Sequence, residues 1–322
     1  MQPPFRLTEK MFQLVVQITE QTTRLQLAEQ QTFRLRKASR IRSIYSSLAI
    51  EQNQLSQEKV TAILEGKRVL GAPKEIREVQ NAYEAYERAF TLNPYSMEDF
   101  LTAHGLLMKD LVQQAGMFRT QDVGVYDEQG RVIHVGARPN YIYPLVSDLF
   151  QWAEQSDLPD LIKSCVVHFE IEMIHPFADG NGRMGRLWQN LILAKWQPIY
   201  EWLPIETLIY EHQDSYYEYM AQGEYENDSS AFIEFMLEMI LATIQSLHTP
   251  ISNEKNLSLT RLEQHFYQAL RANLSKQESF SVQEVLPYSD KSISTIRRYL
   301  AKFVQLGLLK ASGQNKNRRY LW

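Results

Sequence analysis

Within twelve residues, His175 to Arg186, the chain reads HPFADGNGRMGR and gathers an imidazole, a carboxylate, three glycines and two guanidinium groups. Glycine lets backbone NH groups approach phosphate oxygens with no Cβ in the way and makes positive φ inexpensive. The stretch runs into a helix expected to begin near Arg183, so the loop NH groups and the positive end of the helix dipole would face one anion. Arg183 and Arg186 are three apart on that helix, hence neighbours on one face, where two guanidinium groups can clamp successive phosphates. Asp179 supplies the hard oxygen that Mg²⁺ prefers beside waters and phosphate oxygens. His175 stands at the expected end of the preceding helix, directly before Pro176, and near neutral pH can take a proton from a hydroxyl. Together these residues describe transfer of a phosphorus group from a magnesium-bound polyphosphate to an alcohol. Taken singly, a histidine before proline is also a packing or capping residue, and Gly-Asn-Gly is also a turn.

Helices must carry this stretch. Apolar residues at helical spacing, Met11, Leu14, Val15 and Ile18, predict one long amphipathic helix over 7–35. A second helix spans 75–90, with Ile76, Val79, Tyr83, Tyr86 and Phe90 on one face, and ends near the turn signal LNPYS. Ser96, followed by Glu98 and Asp99, caps a third helix through Leu111. Between Val123 and Ala137, two short β-type runs flank DEQG, a hairpin signal for a small flap. Further helices are expected over 144–154, 160–174, 184–196, 207–222 and 230–247.

Composition bounds the chemistry. The 322 residues, 44% hydrophobic and 22% charged, suffice for a full core and more than one domain. No apolar run is expected to approach membrane-spanning length, and MQPPFRLTEK lacks the order of a secretory signal, so a cytoplasmic location is the expectation. The single cysteine, Cys165, lies in the apolar run CVVHF, which leaves no disulfide framework or thiolate metal cluster. From Asn256 to Trp322 eleven Lys/Arg stand against four Asp/Glu, a net +7 on a chain of net charge −4. HTPISNEKN, 248–256, is the expected linker to this basic tail. The tail predicts helices over 259–272 and 282–286, a third capped by Ser292 or Ser294 and ended at Gly307, and two strands around SGQNKN. That order is a winged-helix pattern.

HPFADGNGRMGR resembles the signature of the Fic (filamentation induced by cAMP) family, H-P-F-x-[DE]-G-N-G-R-x-x-R, at every specified position. The resemblance implies a mainly α fold, a helical core with a β-hairpin flap, here with a C-terminal winged-helix domain. The divisions are then 1–95, an N-terminal helical region; 96–247, the catalytic core; 248–256, the linker; and 257–322, the winged helix. It implies transfer of AMP from ATP to a Ser, Thr or Tyr hydroxyl of a protein. His175 resembles the general base, Asp179 the Mg²⁺ ligand and Phe177 the loop anchor. Gly180, Asn181 and Gly182 resemble the α-phosphate cradle, Arg183 the β-phosphate contact and Arg186 the γ-phosphate contact. Val132, Ile133, His134, Val135 and Gly136 resemble the flap that holds the target segment by strand addition. Tyr216 and Tyr217 resemble a tyrosine pair near the base, with Tyr217 taken as the nucleotide contact.

SSLAIEQN, 46–53, resembles the inhibitory motif [ST]-x-x-x-E-[GN] of self-inhibited members, matched by Ser47 and Glu51 and broken by Gln52. In relatives the glutamate pairs with the second arginine, here Arg186, and a carboxylate there competes with phosphate. Alternatives stay open: Glu51 as a solvated helix residue; the same loop moving another phosphorus group or removing AMP; or a DNA-binding regulator with a nucleotide-sensing body, motivated by Arg297, Arg298, Lys302, Lys316, Arg318 and Arg319. The expected partner is a hydroxyl-bearing protein, including the chain itself, and the N-terminal helix and basic tail are compatible with a homodimer.

Overall fold

Two helices carry apolar residues on nearly every face, and such helices must be enclosed by others. These are α7 (Asp160–Ile174) and α8 (Asn181–Trp196), packed on each other. The computed structural model describes residues 2–28, 33–126, 132–248, 261–274, 279–289, 291, 293–305, 308–312 and 319–321. It divides into two compact units, 1–248 and 249–322.

In the first unit, α1 (Glu9–Ala28) and α11 (Ser230–His248) pack together on one side of the central pair. On another side lie α2 (Phe33–Ile50), α3 (Gln57–Leu64), α4 (Pro73–Ala89) and α5 (Met97–Leu107). Ser96 caps α5 through its side chain, which accepts from the Asp99 NH at 3.2 Å. Strands β1 (Gly124–Tyr126) and β2 (Val132–Val135) form the antiparallel hairpin, followed by α6 (Pro139–Gln155). After α8 a 3-10 turn leads to α9 (Ile205–Glu211) and α10 (Gln213–Glu226).

Several expectations are corrected. The segment expected as one helix over 7–35 contains α1 and the start of α2, which serve different partners, α11 and α9; residues 29–32 lie outside the described residues. The 207–222 helix is two, interrupted at His212 (φ −114°, ψ 34°). Helix α6 starts at Pro139, the favoured first-turn position for proline, and Pro144 sits within it. Tyr83 on α4 is exposed at 41%, so the apolar face there is narrower than expected. Contrary to expectation, 230–247 is an 18-residue stretch long and apolar enough by composition to span a bilayer. Here it is a core helix: Phe232, Met236 and Ile240 are fully buried, and its Glu234 and Glu238 pair with Lys10 of α1. Cys165, in the apolar run of α7, is buried and free.

The second unit contains α12 (Arg261–Leu274), β3 (Ser279–Phe280), α13 (Val282–Val285), α14 (Ile293–Gln305), β4 (Lys310–Ser312) and β5 (Arg319–Leu321). Its strands form an antiparallel sheet ordered β3-β5-β4. Strand β3, too short to read from the sequence, closes that sheet over a core of Phe266, Leu270, Phe280, Ile296, Leu300, Phe303 and Tyr320. The expected linker beyond His248, the caps Ser292 and Ser294, Gly307 and the turn residues 313–318 lie outside the described residues, or their side chains do.

An aromatic cluster fixes the loop between α7 and α8. Phe100 of α5 is fully buried and touches Phe118, Phe150, Phe177 and Trp188, at ring distances of 4.9–6.4 Å. Truncating it leaves a cavity at the meeting point of three elements. Phe100→Ala is expected to destabilise the first unit by about 3–5 kcal/mol, read as a lowered thermal midpoint with unchanged helical content at low temperature.

Candidate active site

Helix α7 ends because His175 adopts the left-handed conformation (φ 51°, ψ 58°), its NH still bonded to the Ile171 carbonyl at 3.0 Å. A left-handed cap on a non-glycine residue costs about 1–2 kcal/mol and persists only where its surroundings hold it. The holder is Arg119, 3% exposed. Its Nε donates to the His175 carbonyl at 2.7 Å, its Nη1 to Gln121, and its Nη2 to the carbonyls of Ala137 and Ile174. One guanidinium thus ties the end of α7 to the exit of the hairpin. Gly136 leaves room for it, since a Cβ there would lie 2.6 Å from Nη2. Arg119 carries no sequence signature, because its partners are backbone carbonyls, which leave no residue pattern.

The loop beyond His175 is pinned from below. Phe177 is fully buried and stacks on His104, centroids 3.7 Å apart. The Gly116 NH donates to Nδ1 of His104, which assigns the proton to Nε2, and Nε2 donates to the Asp179 carbonyl at 3.0 Å. Burial pushes His104 down to about 4, so the ring is a neutral strut. The Asn181 side chain bonds both ways to Phe177, accepting from its NH and donating to its carbonyl, each at 2.9 Å. Asn181 is therefore a loop staple, leaving only its backbone for a ligand. Gly180 begins α8 at φ 87°, and a Cβ there would overlap Met108.

A cleft of about 620 Å³ opens above this loop, lined by His175, Asp179, Gly180, Asn181, Gly182, Arg186, Glu51, His134 and Glu172, and along α10 by Gln213, Tyr217 and Glu224. Nδ1 of His175 lies 3.3 Å from the Glu172 carbonyl. Burial first, then His134 and Arg119 alongside, push His175 down to about 4, against the pull of that carbonyl and of Glu51. The imidazole is neutral at pH 7, the state that accepts a proton. Burial raises Glu172 to about 7, with Glu51 adding and Arg186 and Tyr216 opposing.

The two arginines separate. Arg186, 2% exposed, faces the cleft, whereas Arg183, 5% exposed, turns to Asp179 at 2.9 Å and Glu78 at 3.6 Å. Of the two, only Arg186 lines the cleft; carboxylates of α4 and the loop hold Arg183. Both tyrosines line the cleft, Tyr216 as a buried side chain with its hydroxyl 2.9 Å from His168 and Tyr217 half exposed. Of the flap residues, His134 is buried, Val135 is 64% exposed, and the side chains of Val132 and Ile133 lie outside the described residues.

Helix α2 delivers Ser47 and Glu51, one turn apart, to Arg186. Nε donates to the Ser47 hydroxyl at 3.1 Å, and Nη2 to the Ser47 carbonyl at 3.1 Å and to Glu51 Oε1 at 2.6 Å. Burial opposes the charge of Arg186, and Glu51, with Tyr216 and Glu172, more than offsets it, so its pKa is raised. Glu51 is thus ion-paired, with 29% of its side chain exposed. Gly182 makes the approach possible, since a Cβ there would lie 2.5 Å from Glu51 Oε1. Behind the pair, the Tyr86 hydroxyl and Asn190 both donate to Glu206, joining α4, α8 and α9. Gln213 of α10 donates to the Ile50 carbonyl at the end of α2.

Gln52 explains the broken motif. Helix α2 ends at Ile50, Gln52 is left-handed (φ 65°), the Gln52 NH bonds to the Ala49 carbonyl at 3.0 Å and the Asn53 NH to the Leu48 carbonyl at 3.1 Å. These bonds form a Schellman cap, whose left-handed position favours glycine or asparagine.

The Fic/DOC family model matches residues 94–193. A Fic family protein of known structure from Desulfovibrio desulfuricans G20 is 36% identical with a TM-score of 0.75, over 100% of this chain and 98% of that one. The protein adenylyltransferase fic-1 of Caenorhabditis elegans is 30% identical over 179 residues, 51% of this chain and 34% of its own length. The protein adenylyltransferase Fic of Culex quinquefasciatus is 28% identical over 228 residues, 66% of this chain and 42% of its own. The chain thus spans about a third to two fifths of the length of these curated relatives.

Relieving the strained cap has a measurable consequence. Gln52→Gly is expected to stabilise the first unit by about 0.5–1 kcal/mol, the left-handed penalty less the chain entropy of glycine. Denaturant unfolding reads this as a higher midpoint at unchanged slope; a lower midpoint would contradict the cap.

Proposed function

This chain belongs to the Fic/DOC family, and on that footing we propose that it is a protein adenylyltransferase held inactive by its own helix α2. The observation that carries the proposal is the 2.6 Å pair between Glu51 and Arg186 in the cleft that His175 faces. A base, an NH-rich helix start and a buried arginine converge there, and a carboxylate on the arginine excludes a phosphate from it.

In the proposed reaction the triphosphate of ATP lies over Gly180 to Gly182, whose NH groups and helix dipole face its α-phosphoryl group. The Asn181 side chain keeps that backbone in place, and the γ-phosphate takes Arg186 when Glu51 leaves. With Nδ1 turned to the Glu172 carbonyl, Nε2 of His175 takes the proton of the target hydroxyl. The hydroxyl oxygen bonds to the α-phosphorus and the bond to pyrophosphate breaks, giving AMP-modified protein and pyrophosphate. Asp179 fits a role as magnesium ligand: it lines the cleft at 44% side-chain exposure. Among the described residues no group of three or more metal-ligating side chains surrounds it, as suits an ion held mainly by substrate oxygens. Bound there, Mg²⁺ would neutralise phosphate charge. Neither Ser47 nor Arg183 lines the cleft, and both are proposed to act by positioning, Ser47 on Arg186 and Arg183 on Asp179.

A second reading concerns the 249–322 unit. Its helix α14 exposes Arg297 and Arg298 beside a three-stranded sheet, an arrangement that supports a winged-helix module contacting nucleic acid phosphates. It is proposed as an accessory to the transferase. Binding of a DNA duplex that weakens with salt and is lost in Arg297→Ala/Arg298→Ala would support it.

Two variants test the main proposal. Glu51→Gly is expected to raise labelling from isotopic ATP and Mg²⁺ roughly tenfold or more, as expected when a charge-assisted contact passes from carboxylate to phosphate. An unchanged yield in the folded variant would sink the inhibitory role. Adding His175→Ala should lower labelling by about 10²–10⁴, the usual worth of a general base. Product mass separates AMP transfer from transfer of another phosphorus group.

A further inference from the structure

The hairpin places a second imidazole beside His175. His134 is 9% exposed, its ring centroid 5.6 Å from that of His175. Its Nδ1 is 2.7 Å from Oε1 of Glu224 on α10. An ionised carboxylate only accepts, so Nδ1 carries a hydrogen and donates it. The pair therefore sets the ring orientation and turns Nε2 away from Glu224. That nitrogen is buried and has no hydrogen-bond partner among the described residues. Buried polar atoms are seldom left unmatched, and one that lines a functional cleft points to a ligand atom.

Carboxylates of Glu51, Glu172, Asp179 and Glu224 line this cleft, and its anion-binding side is the start of α8 with Arg186. His134 and Glu224 line the same cleft as Gly180, Gly182 and Arg186. With Nδ1–H given to Glu224, a ring that carries hydrogen on both nitrogens offers Nε2–H as a charged donor. Arg183, whose Nε is also unmatched, is paired with Asp179 and Glu78 and does not line the cleft, and Arg119 is paired with backbone carbonyls. His134 is thus the ring that the hairpin itself brings to the cleft with a buried polar atom unmatched. We propose that His134, oriented by Glu224, donates Nε2–H to the phosphoryl group transferred in this cleft. This deepens the proposed transferase reading and rests on it. The hairpin would then supply a phosphate contact as well as an edge strand, and its seating on α10 through Glu224 would couple target docking to readiness of the nucleotide.

The full-length Glu51→Gly protein, ¹⁵N-labelled on histidine, can be titrated with ATP·Mg²⁺ and with AMP while the His134 ring nitrogens are followed by long-range ¹H–¹⁵N correlation. Both ligands are expected to shift the His134 Nε2 resonance. In the same background, His134→Phe should lower the transfer rate roughly ten- to hundredfold, the worth of a charge-assisted hydrogen bond, with the KM for ATP moved by less than threefold. Glu224→Gln should give a smaller loss. Nucleotide binding that leaves Nε2 unmoved, or a His134→Phe protein with an unchanged rate, would overturn this inference and leave the transferase reading intact. A His134→Phe variant that raises only the KM of the protein acceptor would overturn it in favour of a contact to the target. Absence of any nucleotide binding would overturn both.

Discussion

A guanidinium buried among packed side chains must have an anion, because desolvating an unpaired charge costs far more than any neighbouring contact returns. Arg186 imposes that constraint on this protein. It is 2% exposed, on a helix whose neighbouring side chains are nearly all buried. The Ser47 hydroxyl and carbonyl satisfy part of its fork, and Glu51 supplies the charge. In the proposed reaction the same nitrogen would serve a phosphate, so inhibitor and nucleotide compete for one cation. The position of α2 follows from this. Its Ser47 and Glu51 share a face, Gly182 leaves space for the carboxylate, and the Tyr86–Glu206–Asn190 cluster backs the contact from behind.

Neutral imidazoles support the reacting loop and the helix before it, and Arg119 grips its start. His104 stacks beneath Phe177 and bonds the Asp179 carbonyl; His168, pushed down to about 3 by burial, bridges Gln189 and Tyr216. Uncharged imidazoles can be buried at little cost and still donate and accept in fixed directions. The ionisable side chains lining the cleft include Arg186, Glu51, Asp179, Glu172 and Glu224. A left-handed His175 is stable in this frame because Arg119 grips the carbonyls on either side of the bend.

Much of this was legible in one dimension. The boundaries of α7 agree with the apolar run that ends at Ile174, and the α5 cap with Ser96, because both are local effects of periodicity and hydrogen-bond capping. The hairpin was legible from its turn residues. The split between α9 and α10, and the strand β3, were not, since each depends on what lies across from it rather than on its own propensity.

The order of residue types from His175 to Arg186 sufficed for the chemistry of the loop, because close phosphate approach depends on glycines and charges within a few residues of one another. Which of those side chains would face the cleft required the folded chain. Asn181 closes on Phe177, Arg183 is drawn to Asp179 and Glu78, and Glu51, 135 positions from Arg186, becomes its counter-charge. The same holds for Arg119, whose partners are carbonyls, and for Glu224 and His134, 90 residues apart. Spacing along a helix constrains neighbours, whereas burial and charge pairing are settled between elements, where sequence distance carries no information.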